Sequence, residues 1–281
     1  MSLVAAQQDR LLPRKAEQAH DPIPAIVRAD IEHRLRRIEA EHDVRIVHAI
    51  ESGSRAWGFA SPDSDYDIRF LYVGNAKRYV RLFPPRDVIE APIDGLIDLN
   101  GWDMQKSLRL LLKSNAVLSE WLESPIRYRF DAGKHQMLSA FADRALQVEG
   151  LRWHYLSMAE REWALAGYDA TTILAKRYFY VLRPVLTLRF LRLHEGRPPM
   201  TIDALSAAAN LPEDVVAALA QVRAVKISAA EQQSIDRNAD LDALIVADIE
   251  QAKLATPPTR PVTADLIASA EALFANLVAT S

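Results

Sequence analysis

The reactive side chains of this chain crowd into one stretch, Gly53-Ser54-Arg55-Ala56-Trp57-Gly58-Phe59-Ala60-Ser61-Pro62-Asp63-Ser64-Asp65-Tyr66-Asp67. Its two ends suit two parts of one chemistry. A glycine such as Gly53 lets backbone amides come close to an anion, and the Ser54 hydroxyl adds a donor to a phosphate oxygen. A short helix opening at Arg55 or Ala56 would turn its N-terminal amides on the same anion. Asp65 and Asp67, placed on a strand, project to one face because side chains alternate between faces. Carboxylates so close repel unless a divalent cation sits between them. Mg²⁺ or Mn²⁺ suits such oxygen ligands and joins carboxylates to substrate phosphates. Taken singly, Gly-Ser is a common turn and Asp-x-Asp a common solvated strand end. Together, between two apolar strands, they read as a phosphate and metal site.

That stretch needs a strand on either side to position it. Val44, Ile46, Val47 and Ile50 make a β-branched run that predicts a buried strand over 44–50, and DIRFLYV predicts a second over 67–73. Further strands are expected at 88–93 and 96–99. Upstream, Ile26, Ile31, Leu35 and Ile38 recur near helical spacing among charges, predicting an amphipathic helix over about 25–41. Asp103 is the expected N-cap of a helix running through Leu112, and 115–122 a further short helix ended by Ser124-Pro125. Beyond Pro125 the strand signals vanish. Helices are expected at about 133–147, 151–166, 170–194, 212–224, 230–252 and 262–279, punctuated by Gly196-Arg197-Pro198-Pro199 and Thr256-Pro257-Pro258. The fold class that follows is α+β: a mixed sheet with helices over 23–130, then an all-helical domain over 131–281. Residues 1–22 show no period and are expected to be a loosely held lead-in.

Composition narrows the classes of function. Of 281 residues, 49% are hydrophobic and 25% charged, enough to bury a core. Lys and Arg number 34 against 37 Asp and Glu, for a formal charge of −3. A uniformly basic nucleic-acid binder is excluded, whereas a local basic patch is not. With no cysteine, disulfides, thiol nucleophiles and cysteine-based zinc sites are excluded. The seven histidines never form a helical pair flanking a glutamate, which excludes a zincin-type site. No apolar run approaches the roughly 18 residues that cross a bilayer. The opening residues lack the hydrophobic region of a signal peptide, so a cytoplasmic protein without membrane contact is expected.

The stretch resembles the DNA polymerase β-type nucleotidyltransferase superfamily, whose signature is a Gly-Ser turn, a short helix and an Asp-x-Asp strand. GSRAWGFASPDSDYDIRFLYV, LNGWD, SNAVLSEWLESPI and YVLRP resemble the bacterial and phage nucleotidyltransferases linked to RNA repair, over roughly residues 45–200. The resemblance implies metal-dependent transfer of a nucleoside monophosphate from an NTP to a hydroxyl acceptor, with release of pyrophosphate. It makes 23–130 the catalytic domain, and 131–281 the helical domain completing the nucleotide cleft. Gly53 and Ser54 would bind the β- and γ-phosphates, and Asp65 and Asp67 the metal.

The superfamily adds a third carboxylate on a later strand. Asp98, in Leu96-Ile97-Asp98-Leu99, fits that place best. Asp94 before Gly95 is the rival, Asp103 is better spent as a cap, and Glu90 is by default a solvent-face residue. Arg55 is placed to touch the triphosphate or to remain a surface charge. Trp57 and Phe59 are expected to pack the short helix on the sheet. Arg69 shares a strand face with Asp67 and is left between a phosphate contact and a carboxylate pair.

In the second half, residues 171–200 hold six basic residues and one acid, Glu195. Lys176, Tyr180 and Arg183 fall on one helical face, and in related two-domain enzymes a lysine of the second domain reaches the triphosphate. Lys176 is the candidate for that role, with Tyr180 and Arg183 beside it. His154, Tyr155, Glu120 and Trp121 read as packing, although Glu120 is also placed to hold a basic residue of the cleft. Family association points to an RNA 3′ end as acceptor. A small-molecule or protein hydroxyl, the latter in AMP transfer, stays open, as does a non-catalytic antitoxin-like role; no protein partner is named.

Overall fold

The computed structural model describes residues 22–280 apart from 168–169, 229–232 and 255–260. The expected lead-in, Pro22 excepted, and the Thr256-Pro257-Pro258 break lie outside the described residues. In the first half the order is α1 (Ala25–His42), β1 (Val44–Glu51), α2 (Gly53–Trp57), β2 (Tyr66–Gly74), α3 (Ala76–Tyr79), β3 (Val88–Glu90), β4 (Ile97–Asp103), α4 (Met104–Leu111), α5 (Ala116–Leu122) and β5 (Arg127–Phe130). One sheet joins the strands in the order β3-β4-β2-β1-β5. β2 and β4 run parallel and the other pairs antiparallel, so the sheet is mixed, as expected.

Each face of the sheet has its own core. On one, Ile31, Leu35 and Ile38 of α1 pack against Ile46, Ile68, Phe70 and Leu99. On the other, Val47, Ile50 and Leu71 meet Leu108, Leu111 and Trp121. Both cores follow from the alternation of side chains along the strands. Asp103 caps α4 by accepting from Gln105 N–H at 2.8 Å, and Asn115 caps α5 by accepting from Leu118 N–H at 3.0 Å. Three strands differ from expectation: β4 runs on to Asp103 instead of ending at Leu99. β3 ends at Glu90, because the chain turns back on itself where Asp94 bridges Ile97. β5 is an added strand; its arginines alternate with Tyr128 and Phe130, the charged pattern of a sheet edge.

The second half comprises α6 (Ala132–Ala145), α7 (Val148–Leu165), β6 (Thr172–Leu174), α8 (Ala175–Leu193), α9 (Ile202–Ala208), α10 (Glu213–Ser228), β7 (Ser234–Asp236), α11 (Ala239–Lys253) and α12 (Ala264–Ala279). It is helical but not all-helical. β6 and β7 pair antiparallel, so α8 starts at 175 instead of 170 and α11 at 239 instead of 230. Three-residue strands are too short to show a period, which hid them. α9, opened by the Thr201 cap, was unexpected because its seven residues make only about two turns.

Nor do the cores follow a cut near residue 130. Leu138 and Phe141 of α6, with Ala270 and Leu277 of α12, belong to the sheet-side cluster of Val47, Ile50 and Leu108. Helices α7, α8, α10 and α11 build a separate core around Tyr155, Phe179, Leu182 and Val222.

His48 on β1 gives one stability prediction. It is 2% exposed, and its Nδ1 has no hydrogen-bond partner among the described residues. Burial, helped by nearby His135, lowers its pKa to about 4. A histidine lowered in the native state leaves the unfolded chain binding more protons between the two pKa values. Stability therefore falls as pH drops from about 6.5 to about 4, by on the order of 3 kcal/mol. Urea titrations at pH 7 and pH 5 should show the loss, and His48→Leu should flatten it. An unchanged slope in the variant would refute the assignment.

Candidate active site

Strand β1 runs apolar to Ile50 and delivers Glu51, Ser52 and then the turn. Gly53 opens α2 at φ +61°, and a Cβ built on it would lie 2.0 Å from Asp67 Oδ2. Glycine is thus required twice, by conformation and by contact. The Gly53 backbone lies directly against the Asp67 carboxyl. Ser54 is buried beside it. After five residues Gly58 ends α2 in the left-handed region, with its N–H on Ser54 O at 3.1 Å.

Parallel pairing of β2 with β4 sets Asp67 opposite Asp98. Arg69, two residues along the same strand face, joins them: its Nη2 donates to Asp67 Oδ1 at 3.0 Å and to Asp98 Oδ2 at 2.8 Å. That resolves Arg69 as a carboxylate partner, and a cation does sit between the two acids, a guanidinium. Burial raises the Asp67 pKa, Arg69 opposes the rise, and the charges of Asp98 and Asp65 add to it. Asp65 is exposed, one residue before β2 begins. Among the described residues no three acidic or imidazole side chains gather closely enough to hold a metal ion. The expected convergence of three carboxylates is therefore reduced to two, because Asp65 lies on the connecting loop instead of the strand. The oxygen-only donor set itself fits a hard divalent cation.

The rivals of Asp98 are engaged elsewhere. Asp94 accepts from Arg34 of α1 at 2.8 Å, Asp103 caps α4, and Glu90 pairs with Arg86 at 3.1 Å.

Glu51 was missed. It is fully buried, accepts the Asp67 N–H at 2.8 Å, and takes the Tyr128 hydroxyl of β5 on its other oxygen. Burial pushes its carboxyl up to about 7. The Glu51 carboxyl thus holds the backbone of the residue whose side chain faces Arg69. A carboxylate closing an apolar β-branched run just before Gly-Ser was the available signal.

The segment between turn and carboxylates is held from both sides. Arg55 donates to Asp65 O at 3.0 Å and to Ser64 O, and stacks on Tyr66 with 3.8 Å from its guanidinium carbon to the ring centre. It therefore braces the loop instead of lying on the surface. From α10, Arg223 donates to Gly58 O at 3.0 and 2.7 Å, and the fully buried Lys226 donates to Ser61 Oγ at 2.7 Å. Neither residue was expected at the site. Phe59 does not pack on the sheet; it stacks on Phe179 of α8 at 4.6 Å between ring centres. Trp57 meets Tyr180 edge-on at 5.9 Å.

Of the basic face on α8, only part faces a cavity. Lys176 and Tyr180 line a cavity of about 240 Å³ with Glu162, Leu174 and Arg177. The charge of Lys176 reaches Asp67 and lowers its pKa against the other influences. Arg183 is different. It is 5% exposed, donates to Glu120 at 2.8 Å and covers the Trp57 ring at 4.1 Å. A guanidinium so enclosed is committed to the interior, so it is withdrawn as a nucleotide ligand. Glu120 also accepts the Tyr155 hydroxyl at 2.6 Å.

With this geometry in view, comparison with known proteins is informative. Residues 27–276 match the RNA repair pathway DNA polymerase beta family. This chain belongs to that family. The match covers the sheet, the Gly-Ser turn, both paired carboxylates and every helix of the second half up to α12. An uncharacterised protein of Bacillus subtilis, YcgL, is 44% identical over 173 residues, which are 61% of this chain and 65% of that one. The chain thus spans just under two thirds of that relative's length. A crystal structure of a nucleotidyltransferase-like protein from Exiguobacterium sibiricum aligns over 89% of this chain and 80% of its own, at 13% identity and a TM-score of 0.31.

Proposed function

We propose that this member of the family transfers a nucleoside monophosphate from an NTP to the 3′ hydroxyl of an RNA, with Mg²⁺ or Mn²⁺. The acceptor oxygen bonds to the α-phosphorus, the bond to the β-phosphate bridge breaks, and pyrophosphate leaves. The observation that carries the reading is the Asp67–Asp98 pair, set in register on parallel strands against the Gly53 backbone. Asp67 and Asp98 are the paired residues that would hold the metal, which when bound would offset phosphate charge, and Asp65, whose charge reaches Asp67 from the loop, would have to swing in to join them. Ser54 and the Gly53 amide suit the β- and γ-phosphates, and Asp98 would serve the acceptor hydroxyl. Arg69 offsets the mutual repulsion of the two carboxylates. Glu51, Arg55, Arg223 and Lys226 keep the connecting loop in place, so that geometry instead of covalent participation lowers the barrier.

The test is transfer itself. Labelled NTPs are incubated with Mg²⁺, Mn²⁺ or a chelator and with separate pools of RNA, protein and small hydroxyl compounds. Label is expected in RNA only, and only with metal. Label in the protein or small-molecule pool would move the acceptor, and no label anywhere would sink the reading.

Lys176 has its own forecast. An NTP carries about four negative charges, and a lysine across the cleft offsets some of them. Lys176→Ala should weaken NTP binding by on the order of 1–3 kcal/mol, as for a lost charge-assisted hydrogen bond, without unfolding the protein. Calorimetric titration with a non-hydrolysable NTP checks it, with Ser54→Ala as the weakened control. Unchanged affinity in Lys176→Ala returns that lysine to a solvated helix face.

A further inference from the structure

The end of the sheet away from the carboxylates carries a second basic feature. From Asp67 and Asp98, β2 and β4 run five residues to the paired Tyr72 and Asp103, about 17 Å along the strands. The loop between α3 and β3 leaves that end. It exposes Val80, Leu82 and Phe83 at 82%, 87% and 84%. Those side chains are unusually exposed for their size, and together they form an apolar ridge. Pro84 and Pro85 follow and limit the backbone freedom of the ridge.

Beside the ridge is a groove of about 520 Å³, lined among others by Arg78, Arg81, Arg86 and Arg109. Arg78 and Arg86 have acidic partners, Asp103 and Glu90. Arg81 and Arg109, both exposed, pair with no carboxylate among the described residues. Lys77, also exposed, adds from the adjoining α3 a third cation with no carboxylate partner among the described residues. In a chain of net charge −3 this is a local cationic surface. Cations that follow a phosphate backbone, next to an aromatic ring presented to solvent, are the two elements of single-strand recognition: charge gives affinity, and the ring stacks an unpaired base.

We infer that residues 77–86, the end of α3 and the loop after it, form with Arg109 of α4 a docking surface for a single-stranded segment of the RNA acceptor, remote from its reacting end. This rests on the proposed RNA acceptor and adds where the body of that acceptor is held. Phe83 supplies the stacking face, while Arg81 and Arg109 supply phosphate contacts.

Fluorescence anisotropy with an end-labelled single-stranded RNA over a salt series tests it. The comparison is the full-length wild type against Arg81→Ala/Arg109→Ala and Phe83→Ala. The arginine variant should bind roughly tenfold more weakly or worse. Its salt dependence should also flatten, by about 0.7 of a log–log unit per lost phosphate contact. Phe83→Ala should weaken binding roughly tenfold and leave the salt slope unchanged. Titration with Mg²⁺ and a non-hydrolysable NTP is expected to match wild type in both variants. Wild-type RNA affinity in both would overturn the inference. So would binding that shifts to vesicles of anionic lipid and is lost there instead. If NTP binds and RNA does not, this surface falls while nucleotidyl transfer stands. If RNA binding depends on the loop but no NTP binds, the surface stands and the active-site reading falls.

Discussion

Asp67→Asn is expected to lower metal-dependent transfer by about a hundred- to a thousandfold while the protein stays folded. The scale is that of removing one group that meets charge in a transition state. The stability side has a definite sign. Burial and the neighbouring Asp98 and Asp65 charges hold the Asp67 pKa above its ordinary value, with Arg69 pulling against them. A carboxyl raised in this way costs native stability once pH exceeds the ordinary carboxylate range, and an amide escapes that cost. The amide oxygen still accepts from Arg69, so the midpoint of thermal unfolding should be unchanged or slightly raised. Calorimetry and a transfer assay on one preparation separate the two effects. Full activity would remove the metal-centred reading. Gly53→Ala should reach a similar loss by another route, because its Cβ would meet Asp67 Oδ2 at 2.0 Å.

Glu120→Ala should produce the largest loss of stability. Arg183 and the Tyr155 hydroxyl both donate to Glu120, and all three residues are buried. Removing the acid leaves the buried Arg183 guanidinium without its carboxylate, with Trp57 and Tyr155 still beside it, and the Tyr155 phenol without the carboxylate it donates to. Breaking a buried pair from one side costs about 3–5 kcal/mol. Replacing both charged partners, as in Glu120→Leu/Arg183→Met, should recover most of that. Urea titration of the single and double variants decides it, and a single-variant loss below about 1 kcal/mol would mean the network carries little. Because Arg183 also covers Trp57, the last residue of α2, the single variant is expected to weaken NTP binding too.

Much of the site was legible from residues close in sequence. The Gly53-Ser54 turn, the two strands around it and the Asp103 and Asn115 caps rest on interactions over a few positions, where residue type decides. Asp98 was singled out through the family resemblance, and its position opposite Asp67 follows from the pairing of β2 with β4. Arg183 misled because helical spacing places it on a face with Lys176 but cannot tell which neighbour covers that face. β6, β7 and α9 were lost because short elements show no period. Asp65 was placed on the strand by an alternation that begins one residue later.

Residue type and spacing by themselves determined the α+β class, the Gly53-Ser54 turn and the Asp-x-Asp pair after it, and the family resemblance added Asp98. Only the tertiary structure decided that Arg69 would bridge Asp67 and Asp98, since that depends on the register of two parallel strands separated by a long connection. The same holds for Glu51 under the Asp67 amide, and for Arg223 and Lys226 reaching Gly58 and Ser61 across 165 residues. It holds equally for α12, whose Ala270 and Leu277 close the core of the sheet that opens the chain. Periodicity and turn chemistry act between neighbours in sequence, whereas which surfaces meet is set by burying the apolar faces of whole elements against one another.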